Sequence, residues 1–179
     1  MGSLQMFGNW YGVCRAIATF GIAAVAAGIA MNAPKGILTA MAIKAAPRAP
    51  MELRQSVRIS VESGLEGDWR GRSRRQVTLV NLEDWLEAAA ETGHPDLPWT
   101  HRRANLLISG LPFPRRAGWR ISLGAVRLEV LGETDPCRRM DEQQPGLKSA
   151  LKPNWRGGVF CRILQGGDLA LGQEALIDP

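Results

Sequence analysis

The sequence has few side chains of the kinds that build metal or redox centres. Its three cysteines, Cys14, Cys137 and Cys161, have no paired spacing that would indicate a disulfide framework, a zinc ribbon or an iron–sulfur site. No dinucleotide-binding glycine fingerprint occurs either. His94 and His101 lack cysteine or carboxylate partners at a usual metal-ligand spacing, so we interpret both as surface residues. The cysteine usage fits a reducing compartment, and we predict a cytoplasmic protein.

Lysine is also scarce, and the net charge of +5 therefore depends on arginine. Guanidinium groups pair bidentately with phosphate or carboxylate, which indicates a polyanionic partner: a nucleic acid, an acidic surface or a phosphorylated cofactor. Aromatic residues make up only 6% of the chain and form no alternating row on which single-stranded bases could stack. A basic nucleic-acid-binding barrel stays open as an alternative, but the sequence argues against it.

The amino-terminal segment contains no charged residue between Ala16 and Ala30. This run is shorter than the about 20 apolar residues that a membrane-spanning helix needs. Residues 1–33 are therefore interpreted as an apolar extension that is a signal peptide, a membrane anchor or a mis-assigned start before the domain. Membrane contact is possible only through residues 1–30, and anchoring there is the alternative to a cytoplasmic location. The second segment, 34–179, is predicted to be the folded domain.

Alternating apolar and polar residues dominate this domain, most regularly at Val126, Leu128 and Val130. Asn81 can cap a helix from Leu82 to about Thr92, and a second short helix lies between two prolines at 145–153. The inner face of the first helix is predicted at positions 82, 85, 86 and 89. We predict a mainly β (α+β) fold: a closed or nearly closed antiparallel β-barrel with about two peripheral helices.

Cys137 is the most promising functional side chain, because it follows Pro136 directly and precedes Arg138 and Arg139. Cationic neighbours favour the charged form of a thiol, so the sequence predicts a thiolate that can carry sulfur or bind a soft metal. Cys161 lies inside a strand pattern and is predicted to be a core residue.

From about Lys35 to Ile177 the chain resembles a MOSC domain, a β-barrel named after the carboxyl-terminal part of molybdenum cofactor sulfurases. The order and spacing of six motifs carry the resemblance: Gly64-Leu65-Glu66-Gly67-Asp68, Arg75-Gln76-Val77-Thr78-Leu79, Arg103 with Asn105, Leu123-Gly124, Pro136-Cys137, and Arg156-Gly157-Gly158-Val159-Phe160. The chain has no room for the desulfurase module of the sulfurases or for the separate β domain of the mitochondrial amidoxime-reducing proteins. What remains resembles the stand-alone bacterial MOSC proteins.

The resemblance implies a site for the molybdenum cofactor (molybdopterin), with Cys137 as catalytic residue and metal ligand. It suggests Arg103, Arg138 and Arg156 for phosphate or pterin recognition and Asn105 for the pterin's hydrogen-bonding edge. It also suggests that Gly67 and Asp68 shape the pocket through their loop. The implied activity is that of an oxidoreductase acting on N-hydroxylated small molecules, and the alternative is a sulfur carrier or transferase that uses a Cys137 persulfide.

Either activity involves a second protein. The sequence contains no electron-carrying motif, and a sulfur carrier must be loaded by a sulfur donor. The reductase would receive electrons from separate redox proteins, whereas the sulfur carrier would receive sulfur from a cysteine desulfurase.

Overall fold

The computed structural model describes residues 34–178, and the predicted extension at 1–33 lies outside these described residues. Eleven strands and three α-helices occur in this part of the chain. The strands are β1 (Lys35–Ile43), β2 (Glu52–Arg54), β3 (Ser56–Ser60), β4 (Gly64–Leu65), β5 (Val77–Asn81), β6 (Leu106–Ser109), β7 (Arg120–Leu123), β8 (Val126–Glu133), β9 (Val159–Gln165), β10 (Gly167–Ala170) and β11 (Glu174–Asp178). The helices are α1 (Leu82–Glu91), α2 (Arg139–Gln143) and α3 (Leu147–Leu151).

Seven strands form a closed ring in the order β1, β11, β7, β8, β9, β5 and β6, after which β6 pairs again with β1. The short β2 extends the sheet from β1, while β10, β3 and β4 form a separate three-stranded sheet. The predicted mainly β barrel is thus confirmed. It is held by a continuous set of backbone hydrogen bonds that leaves no free edge within the ring.

One pair of neighbours in this ring, β5 and β6, is parallel, so the barrel is mixed rather than wholly antiparallel as predicted. The reason is the connection between them: α1 crosses the outside of the barrel and returns the chain to the end at which β5 began. The helix count is three rather than about two, because the short α2 was not predicted.

The interior of the barrel is apolar and follows the predicted alternation. Val126, Leu128 and Val130 are each 0% exposed, and Cys161 is buried in the same cluster, as expected for a core residue. Burial raises the pKa of the Cys161 thiol, since the surrounding core disfavours the thiolate.

A second apolar cluster lies outside the ring, where α1 packs on β5 and β6 and α3 packs on α1. The Asn81 side chain accepts a hydrogen bond from the Asp84 amide and begins α1 as predicted. The predicted inner face of α1 is partly wrong: Trp85 and Ala89 are buried, but Leu86 is exposed and Ala88 takes its place. Among residues 34–178, no helix combines the length and apolar character that crossing a membrane requires.

Candidate functional site

A small cavity opens beside Cys137, near the amino-terminal ends of β5 and β6. We call it the Cys137 pocket, and its volume is about 120 Å³. Four stretches of the chain, residues 44–47, 70–78, 102–103 and 134–140, meet there, which explains why no single motif defines it. Its lining residues are Lys44, Pro47, Arg70, Arg75, Thr78, Arg102, Arg103, Thr134, Asp135, Cys137, Arg139 and Met140.

Cys137 lies in the connection between β8 and α2. The Thr134 amide donates a hydrogen bond to the Gly158 carbonyl at 2.8 Å, which fixes the start of this connection. Pro136 restricts the backbone just before the cysteine. The Cys137 carbonyl then accepts a hydrogen bond from the Met140 amide at 2.9 Å as the chain turns into α2. The Cys137 side chain is exposed at the mouth of the pocket, and a second molecule can therefore reach its sulfur.

Arg102 binds the backbone of the connection between β8 and α2. Its guanidinium donates to the Gly157 carbonyl and the Thr134 carbonyl, both at 2.6 Å, although the residue is only 5% exposed. Within residues 34–178 no carboxylate lies within 4.0 Å of it. Burial lowers the pKa of Arg102 to about 10, and the charge of Cys137 partly offsets that effect. The site thus contains a buried cation that a thiolate or a bound anion would neutralise.

The opposite wall is built around the buried carboxylate of Asp68. It accepts hydrogen bonds from the Lys44 amide at 3.1 Å, the Arg70 amide at 3.0 Å and the Asn105 side chain at 3.0 Å. The Lys44 ammonium lies 3.7 Å from the same carboxylate. Burial lowers the pKa of Lys44, the negative charge of Asp68 opposes this, and the nearby Arg70 and Arg103 reinforce it. Asp68 therefore positions two cations, Lys44 and Arg70, beside the pocket.

Asn105 is buried behind this wall. Its carbonyl oxygen accepts from the Thr78 amide at 3.1 Å and the Thr78 hydroxyl at 2.8 Å. Its amide nitrogen donates to the Ala42 carbonyl at 3.2 Å and to Asp68. All four hydrogen bonds that an asparagine side chain can make are thus formed within the protein. The structure places Asn105 as a link between β1, β5 and Asp68 rather than on the pocket surface.

The pocket is strongly positive and incompletely satisfied. Its lining includes six cations, Lys44, Arg70, Arg75, Arg102, Arg103 and Arg139, and one carboxylate, Asp135. Three buried polar atoms on the lining have no hydrogen-bond partner: Arg70 Nε, Thr134 Oγ1 and Arg139 Nε. Because an unpaired buried donor costs about 1–3 kcal/mol, these atoms are candidates for hydrogen bonds to a molecule bound in the pocket.

The other predicted site residues lie at different distances from this pocket. Arg103 lines it and donates to the Ala49 carbonyl at 2.8 Å. Gly67 forms the turn before Asp68 with a φ of 80°, and a Cβ there would lie 2.8 Å from Ile43. Arg138 is exposed and pairs with a glutamate of α2 instead of lining the pocket.

Arg156 is not among the residues of the Cys137 pocket. It is buried between α1 and α3, where it pairs with Glu87 at 2.6 Å and Glu91 at 2.7 Å and donates to the Ala150 carbonyl at 3.2 Å. The two glutamates raise the pKa of Arg156 against the opposing effect of burial. The structure therefore places this arginine at a helix contact.

Several lining residues were not predicted from the sequence, above all Arg102, Lys44, Thr134 and Arg139. The sequence also contains a basic run, Arg70, Arg72, Arg74 and Arg75, of which Arg70 and Arg75 line the pocket. Arg102 and Arg103 are consecutive, and the pattern does not show that Arg102 is the buried one. Among residues 34–178, no three side chains of His, Cys, Asp or Glu are placed to hold a metal ion together.

The sequence profile of the MOSC domain matches residues 66–175 of the chain. A relative from Bacillus subtilis (strain 168), named "Putative metal-sulfur cluster biosynthesis proteins YuaD", is 31% identical over 114 residues. That match covers 57% of this chain and 59% of the relative, so less than two thirds of this curated relative is spanned.

Solved structures share the fold. The crystal structure of the YuaD protein from Bacillus subtilis superposes with a TM-score of 0.71 at 22% identity, covering 80% of this chain and 95% of that one. YiiM from Geobacillus stearothermophilus gives a TM-score of 0.64 at 14% identity, with coverages of 80% and 75%. YiiM from Escherichia coli gives 0.59 at 16% identity, with coverages of 82% and 69%.

Proposed function

The chain belongs to the MOSC domain family, and we propose from this premise that the Cys137 pocket binds the molybdenum cofactor in an oxidoreductase that reduces N-hydroxylated compounds. The observation that carries the proposal is an accessible thiol beside six cations and three unpaired polar atoms. A soft metal matches the thiolate, and a phosphate group matches the cations.

The residues of the pocket fit such a cofactor in charge and in donor chemistry. Molybdopterin carries two dithiolene sulfurs and a phosphate, so it brings most of its metal's ligands with it and needs one thiolate from Cys137. Arg70 and Arg139 each have a free Nε, and with Arg102 they would bind the phosphate. Because the cavity of about 120 Å³ is smaller than the about 300–1,000 Å³ usual for ligand pockets, it encloses only part of the cofactor.

The chain's own residues would then bind and orient, while the redox chemistry comes with the cofactor. When bound, the cofactor supplies a two-electron reduction in which an N-hydroxylated base takes up two electrons and two protons and gives the base and water. Arg102 positions the backbone that carries Cys137, and Asp68 positions Lys44 on the opposite wall of the pocket. The exposed position of Cys137 leaves room for a small-molecule substrate, and the electrons come from a separate redox protein.

A second candidate function is a sulfur carrier, which the exposed sulfur of Cys137 and the small cavity favour. In that function the Cys137 thiolate attacks the terminal sulfur of a persulfide on a cysteine desulfurase. A new S–S bond forms on Cys137 as the S–S bond of the donor breaks, and the desulfurase thiolate is released without net redox change. The name of YuaD, which refers to metal-sulfur cluster biosynthesis, is compatible with this chemistry.

Composition analysis separates the two functions. The full chain is produced in a host that makes the molybdenum cofactor, and molybdenum, pterin and Cys137 persulfide are measured per folded protein. We expect molybdenum and pterin in equal amounts, and a strongly reduced content of both in Cys137→Ser but not in Cys161→Ser. Persulfide on Cys137 without molybdenum would replace the reductase proposal by the sulfur carrier.

The arginines of the pocket provide a second test. Arg139→Ala removes a guanidinium with an unpaired Nε from the pocket, whereas Arg120→Ala removes an exposed arginine on β7. Loss of one charge-assisted hydrogen bond costs about 1.5–3 kcal/mol, so the cofactor should dissociate more readily from Arg139→Ala alone. Equal retention in the two variants would place the anion elsewhere.

A further inference from the structure

Next to the Cys137 pocket is a surface loop with an unusual charge, the arginine loop, which we define as residues 69–75. Its seven residues include four arginines and no acidic residue: Arg70, Arg72, Arg74 and Arg75. Arg72 and Arg74 are exposed. In the part of the chain that the structure describes, none of the four has a carboxylate within 4.0 Å. The loop therefore presents positive charge that the fold does not neutralise.

The arginine loop is packed against neighbouring parts of the barrel domain. Gly71 is packed so tightly that a Cβ there would lie 1.4 Å from the Ser63 carbonyl oxygen. The Gln76 side chain donates to the Val61 carbonyl at 2.6 Å and accepts from the Ile163 amide at 2.8 Å. These hydrogen bonds connect the end of the loop to the turn after β3 and to β9.

The loop is continuous with the site at Cys137. Arg70 and Arg75 line both the Cys137 pocket and a shallow groove formed by Trp69, Arg70, Ser73, Arg74 and Arg75. Trp69 is 43% exposed, and the Arg70 guanidinium lies 5.1 Å from its ring centroid. Tryptophan and arginine are the residue types that most often dominate binding at protein interfaces.

Exposed apolar side chains accompany the charges. Val61 is 46% exposed and Leu164 is 38% exposed. Val61 provides the carbonyl that Gln76 bonds, and Leu164 follows Ile163, whose amide bonds the same side chain. Apolar residues beside arginines are typical of a protein-binding surface. A platform for single-stranded nucleic acid needs several aromatic side chains, and Trp69 is the one large exposed aromatic of residues 34–178.

We propose that the arginine loop is a docking surface for an electron-donor protein with a carboxylate-rich face, which brings its redox centre to Cys137. This inference rests on the proposed function, because the reductase needs a separate electron donor. The arginines steer the acidic partner by long-range attraction, and Trp69 with Val61 and Leu164 provides the apolar contact area.

Binding of the full chain to an acidic [2Fe–2S] ferredoxin tests the proposal at increasing NaCl concentrations. The test variant is Arg72→Glu/Arg74→Glu, whose side chains do not line the Cys137 pocket, and the matched control is Arg116→Glu/Arg120→Glu. Each variant exchanges two exposed arginines for glutamates. Since opposed like charges at an interface are strongly unfavourable, we expect affinity to fall roughly 10-fold or more in the test variant. We expect a fall of less than about 3-fold in the control. Ferredoxin with amidated carboxylates should not bind.

Three results would overturn the proposal. These are an equal loss in both variants, the absence of salt-sensitive binding to the ferredoxin, and tighter binding of a random oligonucleotide that the test variant abolishes. The last result would make the loop a nucleic-acid surface. Molybdenum and persulfide are measured in the same samples, because docking that persists in protein without either group would contradict the proposed function alone. A normal content without docking would contradict this inference alone.

Discussion

Replacing Asp68 by alanine should destabilise the protein strongly, because the carboxylate is buried and paired. The change removes the acceptor of three hydrogen bonds and leaves the Lys44 ammonium buried without its counter-charge. Breaking a buried ion pair by removing one partner costs about 3–5 kcal/mol. At about 2–4 °C per kcal/mol for a domain of this size, the melting temperature should fall by roughly 6–20 °C.

The structure offers a matched control for this change. Asp168 lies 3.7 Å from Arg58, the same separation as between Lys44 and Asp68. Both side chains of the Arg58–Asp168 pair, however, are more than 70% exposed. An exposed pair contributes only about 0–1 kcal/mol, so Asp168→Ala should be nearly neutral. Urea unfolding of both variants gives the comparison directly.

A double variant separates the ion pair from the hydrogen bonds. In the Asp68→Ala background, Lys44→Met removes the unpaired buried charge and should recover part of the lost stability. If Asp68→Ala is no more destabilising than Asp168→Ala, or if Lys44→Met gives no recovery, then the wall of the pocket is not held by this buried pair.

Three further predictions follow from particular contacts. Gly157→Ala places a Cβ 2.6 Å from the Thr134 carbonyl oxygen, so it should cost about 1–3 kcal/mol in urea unfolding and alter the alkylation rate of Cys137; an unchanged rate and stability would contradict the packing described. Burial raises the pKa of Cys161 above its ordinary 9.0, so the thiol of the unfolded chain loses its proton at a lower pH than the folded one. The free energy of unfolding should therefore fall as pH rises above about 9, and Cys161→Ala should remove this fall. If the unmodified chain and Cys161→Ala show the same pH dependence of unfolding, the prediction is wrong. Arg156→Ala breaks the contact with α1 and should cost about 1–2 kcal/mol, yet the molybdenum content per folded protein should stay unchanged; a selective loss of molybdenum would assign Arg156 to the site.

Much of the barrel could be predicted because its strands have one buried and one less buried face. The alternation at Val126, Leu128 and Val130 gives the strand, and the polar Asn81 before an apolar stretch gives the start of α1. The parallel pairing of β5 with β6 depends on where the intervening helix packs, which periodicity does not encode. The pattern predicts Leu86 on the inner face of α1, but Leu86 is exposed and the smaller Ala88 is buried in the cluster that includes α3.

The candidate site was predictable at Cys137 and less so around it. The thiol stands out because of its proline and arginine neighbours. Burial of Arg102 instead of Arg103, in contrast, depends on the turn formed by residues Trp99–Arg102. Lys44 and Thr134 come from distant parts of the chain, and only the closed barrel brings them to Cys137. Arg156 carries a family motif, yet its position between two glutamates of α1 is a property of tertiary packing.

The central claim is that the sulfur of Cys137 ligates molybdenum, and X-ray absorption at the molybdenum edge tests it most directly. The measurement counts sulfur ligands per metal in the full chain purified from a host that makes the cofactor. We predict one sulfur ligand fewer in Cys137→Ser than in the unmodified chain, and no change in Cys161→Ser. An identical sulfur count for the molybdenum that remains in Cys137→Ser would contradict the account. So would an unmodified chain that contains no molybdenum at all.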